Sequence, residues 1–139
     1  MTAKLKCAEE TIEFGKKISQ KIKKGDVVSV YGELGAGKTT LIRGICRGLG
    51  YDGIVSSPSF TLINEYTGKI KIYHFDFYRL KTSDEVFNLG VDEFFFSDGI
   101  CLLEWPDIAQ IFLPEQTKNI FIEYDKNNIN WRNIRIDFT

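Results

Sequence analysis

The segment Tyr31–Thr40 reads YGELGAGKTT, in which Gly32, Gly37, Lys38 and Thr39 satisfy the spacing G-x-x-x-x-G-K-[ST]. Such a loop holds phosphates because backbone N–H groups can approach an anion where no side chain intervenes, and the helix that follows adds its dipole. On this reading Gly32, Glu33, Leu34, Gly35, Ala36 and Gly37 line a nucleotide site. Lys38 neutralises the β- and γ-phosphates, and the Thr39 hydroxyl binds the accompanying magnesium. The plainer alternative is a glycine-rich turn with no ligand.

A magnesium–phosphate site also asks for a carboxylate at the end of a neighbouring strand, and the chain offers Asp76 and Glu104. Glu104 ends the apolar run ICLLE and is expected on the metal, the alternative being a solvated strand end. Asp76, within YHFDFYRL, falls on the same strand face as Ile72 and His74 by simple alternation. There it is expected to orient or deprotonate an attacking water, the alternative being a structural hydrogen-bonding aspartate. His74, the sole histidine, is expected to pack rather than to carry protons. The hydroxyl-rich SSPSFT, Ser56 to Thr61, lies where P-loop proteins often keep a segment that senses the γ-phosphate, and Pro58 makes it a turn in any case.

These residues need a frame. Ile12, Phe14, Ile18 and Ile22 recur at near-helical spacing after Glu9 and Glu10, and Gly25 stops them, giving an opening helix. DVVSVY follows as a buried strand that runs into the glycine loop. Leu41, Ile42, Ile45, Cys46 and Leu49 then make one face of a second helix ended by Gly50. FTLINEY and KIKIYHFDFYRL read as a β-hairpin about Gly68, and a short helix from Ser83 to Asn88 has Ser83 as its expected cap. ICLLEW is a strand buried on both faces and closed by Pro106. NIFIEY and WRNIRIDF flank DKNNIN, a terminal hairpin whose asparagines tolerate positive φ. The order implies an α/β fold: a P-loop domain with a mixed parallel and antiparallel sheet flanked by helices. The aromatics of VDEFFF, Val91 to Phe96, are expected in the core, the alternative being that some are exposed to a partner.

At 139 residues the chain is expected to form one domain over residues 1–139. It has no apolar run of the ~20 residues that cross a bilayer, and its first residues lack a signal-peptide apolar stretch. A cytoplasmic location without membrane contact is therefore expected. Cys7, Cys46 and Cys101 have neither the number nor the spacing of a disulfide framework or zinc site. The net charge of −1 argues against strong independent binding of nucleic acid, and Lys16, Lys17, Lys21, Lys23 and Lys24 read as a solvated face. A guanine-reading N-K-x-D motif is absent, and Asn88 to Cys101 contains no arginine of the kind a kinase lid uses. What remains is a minimal ATPase whose output something else reads, with a small phosphotransferase or a nucleotide-gated binding module as alternatives.

Five stretches together, YGELGAGKTT, SSPSFTLINEY, YHFDFYRL, LGVDEFF and ICLLEWPD, resemble the bacterial ATPases of tRNA threonylcarbamoyladenosine biosynthesis, the TsaE or YjeE family. The resemblance covers the chain from about residue 8 to its end. It implies a protein that binds ATP and magnesium, hydrolyses slowly alone and works with the partners TsaD and TsaB. Those partners modify the adenosine beside the anticodon in tRNAs reading codons that begin with A, so tRNA contact is indirect. By position the resemblance implies that Lys38, Thr39 and Thr40 bind nucleotide, that Thr39 and Glu104 hold magnesium, and that Asp76 is catalytic. It also implies that Trp105 belongs to the site, and that Thr11, before the first helix, and Arg132, in the last hairpin, approach the nucleotide. Ser59 departs from the family's more usual threonine, keeping the hydroxyl but losing the methyl that fixes its rotamer.

Overall fold

The computed structural model describes residues 1–138. All its strands join one seven-stranded sheet: β1 (Thr2–Leu5), β2 (Val27–Tyr31), β3 (Ile63–Thr67), β4 (Lys71–Asp76), β5 (Ile100–Glu104), β6 (Lys118–Tyr124) and β7 (Arg132–Asp137). Their order is β1-β7-β6-β2-β5-β4-β3. The four central strands, β6, β2, β5 and β4, run parallel, and the strands outside them add antiparallel edges. β2 and β5 are buried on both faces because both are covered. One core, with Val28, Val30, Ile72 and Leu102, packs under helices α1 (Ala8–Ile18) and α2 (Lys38–Gly48). The other, with Phe75, Phe77, Cys101 and Leu103, packs under α3 (Ser83–Asn88), α4 (Val91–Phe95) and a 3₁₀ helix over Pro106–Phe112.

The parallel register sets the site. Asp76 on β4 pairs with Glu104 on β5, and Glu104 in turn faces Val30 on β2, one residue before the strand ends at Tyr31. Two carboxylates and the glycine loop therefore leave the sheet side by side at the carboxyl ends of its strands, the edge where open α/β sheets bind ligands.

Several local expectations need correction. The cap of α3 is Thr82, not Ser83: its side chain accepts from Glu85 N while the Glu85 carboxylate accepts from Thr82 N, a complete capping box. Thr11 lies inside α1 rather than before it, because the helix begins at Ala8. The asparagines between β6 and β7 do not adopt positive φ; among the described residues only Leu62 and Trp105 do so without being glycine. Instead the Asp125 carboxylate accepts from Asn127 N and Asn128 N, and Asn128 Oδ1 accepts from Asn130 N, so side chains reinforce a turn whose backbone bonds run from Asp125 N to Trp131 O and from Trp131 N to Asn128 O. In α4 the core takes Val91 and Phe95, whereas Phe96, the last aromatic of VDEFFF, is 70% exposed. Strand β1 has no counterpart in the sequence reading.

Helix α2 carries Lys38 and Thr39 at its start, and two glycines seat it on α1. A Cβ at Gly44 would stand 2.3 Å from the Ile12 carbonyl oxygen, and one at Gly15 2.6 Å from that of Leu41. Both obstacles are backbone and cannot rotate aside. Gly44→Ala is therefore expected to destabilise the chain by about 1–3 kcal/mol through overpacking, overriding the ~1 kcal/mol that alanine gains as a helix former. Urea unfolding checks this: an unchanged or higher midpoint would show that the helices can separate without loss.

Candidate functional site

A phosphate-binding loop must point N–H groups at the anion and dispose of its carbonyls elsewhere. Every carbonyl from Gly32 to Gly37 has a donor. Lys38 Nζ donates to Gly32 O at 2.5 Å and to Glu33 O at 3.0 Å. Tyr124 hydroxyl donates to Leu34 O at 3.0 Å. Arg132 donates from Nη2 to Gly35 O at 3.3 Å and from Nε to Ala36 O at 3.0 Å, and Leu41 N donates to Gly37 O at 2.9 Å. Gly35 and Gly37 supply the left-handed turns, with φ of +79° and +102°, and the first N–H groups of α2 have no acceptor within the helix. Gly32 permits another close approach, since a Cβ there would stand 2.6 Å from the Ile122 carbonyl oxygen on β6.

The loop borders a cleft of about 500 Å³ whose lining includes Lys38, Thr39, Thr40, Asp76, Glu104 and Trp105. Thr39 Oγ1 lies 3.1 Å from Glu104 Oε1 and 2.9 Å from Oε2. Glu104 is only 3% exposed, so the solvated strand end considered from sequence does not describe it. Asp76 is equally buried; Oδ2 accepts from Ser57 Oγ at 2.7 Å and Oδ1 from Tyr78 N at 2.9 Å. The Lys38 ammonium stands 4.0 Å from the Trp105 ring centroid. Burial lowers the Lys38 pKa, opposed by the charges of Glu104 and Asp76. Trp105 itself adopts φ +53° and ψ +57°, a left-handed conformation uncommon for a bulky residue, at the corner before Pro106. Its ring packs against Tyr78 at 4.8 Å.

Leu34, Gly35 and Gly37 line the same cleft, and the remaining candidates divide between two neighbouring hollows. Thr11, Ala36 and Arg132 line a smaller one of about 170 Å³ behind the loop, which Thr40 shares with the main cleft. The Thr11 hydroxyl is turned to Cys7 O at 3.3 Å. Gly32 and Glu33 face a third hollow beside Tyr31 and Phe121, and Leu34 stands at the loop tip, 69% exposed. Sequence reasoning missed the partners: Tyr124 bracing the loop, Ser57 on Asp76, and His74, whose Nε2 donates to Glu104 Oε2 at 2.7 Å. Alternation put His74 and Asp76 on one face of β4, but Glu104 and Tyr66 are diagonal neighbours on flanking strands, visible only with the register.

The donor set suits a hard cation: a hydroxyl and a carboxylate, both oxygen ligands, touching each other at a helix start. Among the described residues no cluster of three or more His, Cys, Asp or Glu could hold a metal alone. Two protein oxygens completed by phosphate and water is the arrangement magnesium prefers. None of the helices of the described residues is long and apolar enough to cross a membrane.

Comparison with known proteins agrees with this geometry. The family model described as "Threonylcarbamoyl adenosine biosynthesis protein TsaE" matches residues 5–134. The tRNA threonylcarbamoyladenosine biosynthesis protein TsaE of Bacillus subtilis is 44% identical over 116 residues, covering 83% of this chain and 72% of that protein. Its counterpart in Haemophilus influenzae is 44% identical over 127 residues, covering 85% and 80%. The crystal structure of Bacillus subtilis YdiB superposes with a TM-score of 0.83 at 35% identity, over 98% of this chain and 83% of that one. With a P-loop between β2 and α2, carboxylates on β4 and β5, and relatives matching over most of their length, the chain belongs to the TsaE family of tRNA threonylcarbamoyladenosine biosynthesis proteins.

Proposed function

We propose that the chain is a magnesium-dependent ATPase serving threonylcarbamoyladenosine modification of tRNAs reading codons that begin with A, acting on the TsaD and TsaB pair in the cytoplasm. The observation that carries this reading is the conjunction in one cleft of a loop with all its carbonyls turned to donors, the Thr39–Glu104 oxygen pair and the buried Asp76. The loop N–H groups bind the β- and γ-phosphates of ATP, and Lys38, whose ammonium spends two of its three N–H donors on the Gly32 and Glu33 carbonyls, turns the third toward them. Thr39 and Glu104 hold the cation, which supplies charge neutralisation across the phosphates. Thr40 and the hollow lined by Thr11 and Arg132 adjoin the loop on the side left for the nucleoside. Asp76 orients a water toward the γ-phosphorus and takes its proton as the bond to the β–γ bridging oxygen breaks, giving ADP and phosphate.

Ser57 sits on the Asp76 carboxylate, so the Ser56–Thr61 segment responds to what occupies the cleft. ATP favours one arrangement of it and hydrolysis releases that arrangement, changing affinity for the partner pair; only such differential binding lets a nucleotide act as a switch. Equal affinity for TsaD and TsaB with ADP and with a nonhydrolysable ATP analogue would refute this.

ATP turnover by the purified chain, alone and with TsaD and TsaB, tests the main reading. Stimulation by the pair is expected, and Lys38→Ala is expected to lower the stimulated rate by about 100-fold or more. Binding of the analogue without turnover in either condition would instead make the chain a nucleotide-gated binding module. Asp76→Asn is expected to keep analogue binding while cutting turnover by about 10²–10⁴-fold, the range for loss of a general base. Turnover within a few-fold of the unmodified chain would remove Asp76 from catalysis and leave it the segment's anchor.

A further inference from the structure

His74 is fully buried in the middle of β4, where an apolar side chain would avoid the cost of burying a polar ring. Both of its ring nitrogens are engaged. Nε2 donates to Glu104 Oε2 at 2.7 Å, and Nδ1 lies 2.9 Å from the Tyr66 hydroxyl. Tyr66, itself 5% exposed on β3, reaches the Ser56 carbonyl at 3.2 Å through the same hydroxyl. A continuous path of polar contacts thus runs from Thr39 through Glu104, His74 and Tyr66 to Ser56, diagonally across three strands. It ends one residue before Ser57, which sits on the other carboxylate, Asp76.

We propose that His74 and Tyr66 are positioning residues that hold the cation-binding carboxylate and couple it to the Ser56–Thr61 segment. This rests on the reading of Thr39 and Glu104 as the cation's protein ligands. A carboxylate bonded only to Thr39 is free to turn about its terminal torsion, which is broad. The His74 N–H pins Oε2 and so fixes the plane of the carboxylate, both of whose oxygens lie against the Thr39 hydroxyl, the part that outer-shell donors play for metal ligands. The Tyr66 hydroxyl lies against both the His74 ring and the Ser56 carbonyl and has a single proton to share between them, so the ring's orientation and the carbonyl's hold on the tyrosine are linked, and drawing Glu104 onto a cation is coupled to settling the segment.

The test titrates magnesium against binding of a nonhydrolysable ATP analogue by calorimetry, with hydrogen exchange followed at residues 56–62. The full-length chain is compared with His74→Asn, His74→Gln and Tyr66→Phe, each first checked for folding by circular dichroism. The glutamine amide nitrogen extends toward the position of Nε2, whereas that of asparagine stops near Nδ1. His74→Asn is expected to raise the magnesium concentration needed by about 10–100-fold while metal-free analogue binding stays nearly unchanged, and His74→Gln to restore most of the loss. Tyr66→Phe is expected to abolish the slowing of exchange at residues 56–62 that magnesium and analogue together produce.

A His74→Asn chain with the original magnesium requirement, or one that loses metal-free and metal-assisted binding equally, would overturn the positioning role. If that variant does not fold, Tyr66→Phe still decides: an undiminished exchange response overturns the coupling. An unmodified chain whose analogue binding ignores magnesium would refute the cation reading itself, before any variant is made.

Discussion

An anion site made of backbone imposes a debt of carbonyls. Each peptide unit that offers an N–H to a phosphate carries an oxygen that needs a donor from elsewhere, and in this chain that need reaches far from the loop. Lys38 supplies two donors from the helix behind it. Tyr124 and Arg132 supply three more from the last hairpin, more than 80 residues downstream. Arg132 is held in turn by the Ile129 and Trp131 carbonyls, with its guanidinium 4.2 Å from the Tyr124 ring centroid. The β6–β7 hairpin is therefore part of the loop's scaffold, and Asp125, which closes its turn, contributes to the site at one remove. Hydrogen bonds from Asn127, aided by Lys4 and Asn133, hold the Asp125 carboxyl below the usual aspartate range.

The same logic governs the carboxylates. Burying Asp76 and Glu104 to 3% exposure is costly unless their oxygens find donors, and the sheet provides them on both sides. Asp76 takes a hydroxyl from the Ser56–Thr61 segment and a backbone N–H from Tyr78; Glu104 takes the Thr39 hydroxyl and the His74 ring. Asp76 is thus fixed by one partner from just beyond its own strand and one from the Ser56–Thr61 segment, whereas Glu104 is fixed by the neighbouring strand β4 and by the start of α2. That division explains how a rigid sheet end can serve a responsive site.

The sequence was most informative where one local feature determines chemistry. The glycine spacing between an apolar strand and an amphipathic helix encodes a backbone shape, and alternation alone put Asp76 on the face of β4 that it occupies. It was least informative where identity depends on distant pairing. Strand β1 is four residues with two exposed positions, and only its register with β7 makes it a strand. Thr82 and Ser83 are adjacent hydroxyls, so choosing the cap required the Glu85 side chain to be seen returning to one of them. His74 looked like packing because its partners lie diagonally on two other strands, 8 and 30 residues away.

Charge balance then bears on the ligand. Lys38 and Arg79 meet Asp76 and Glu104 around the cleft, two cations against two carboxylates, and Arg79 already lies 3.9 Å from the ring of the exposed Phe60. The cleft offers a triphosphate no surplus positive charge from side chains. Loop N–H groups and the start of α2 contribute fractions of a charge, too little to offset several phosphate charges beside two buried acids. A nucleotide entering with a divalent cation relieves both problems, since the ion neutralises phosphate oxygens and gives Glu104 a partner of opposite sign. On the proposed function, metal and nucleotide would enter the cleft together, and loss of the γ-phosphate would weaken the hold on Glu104 and on the Ser56–Thr61 segment together.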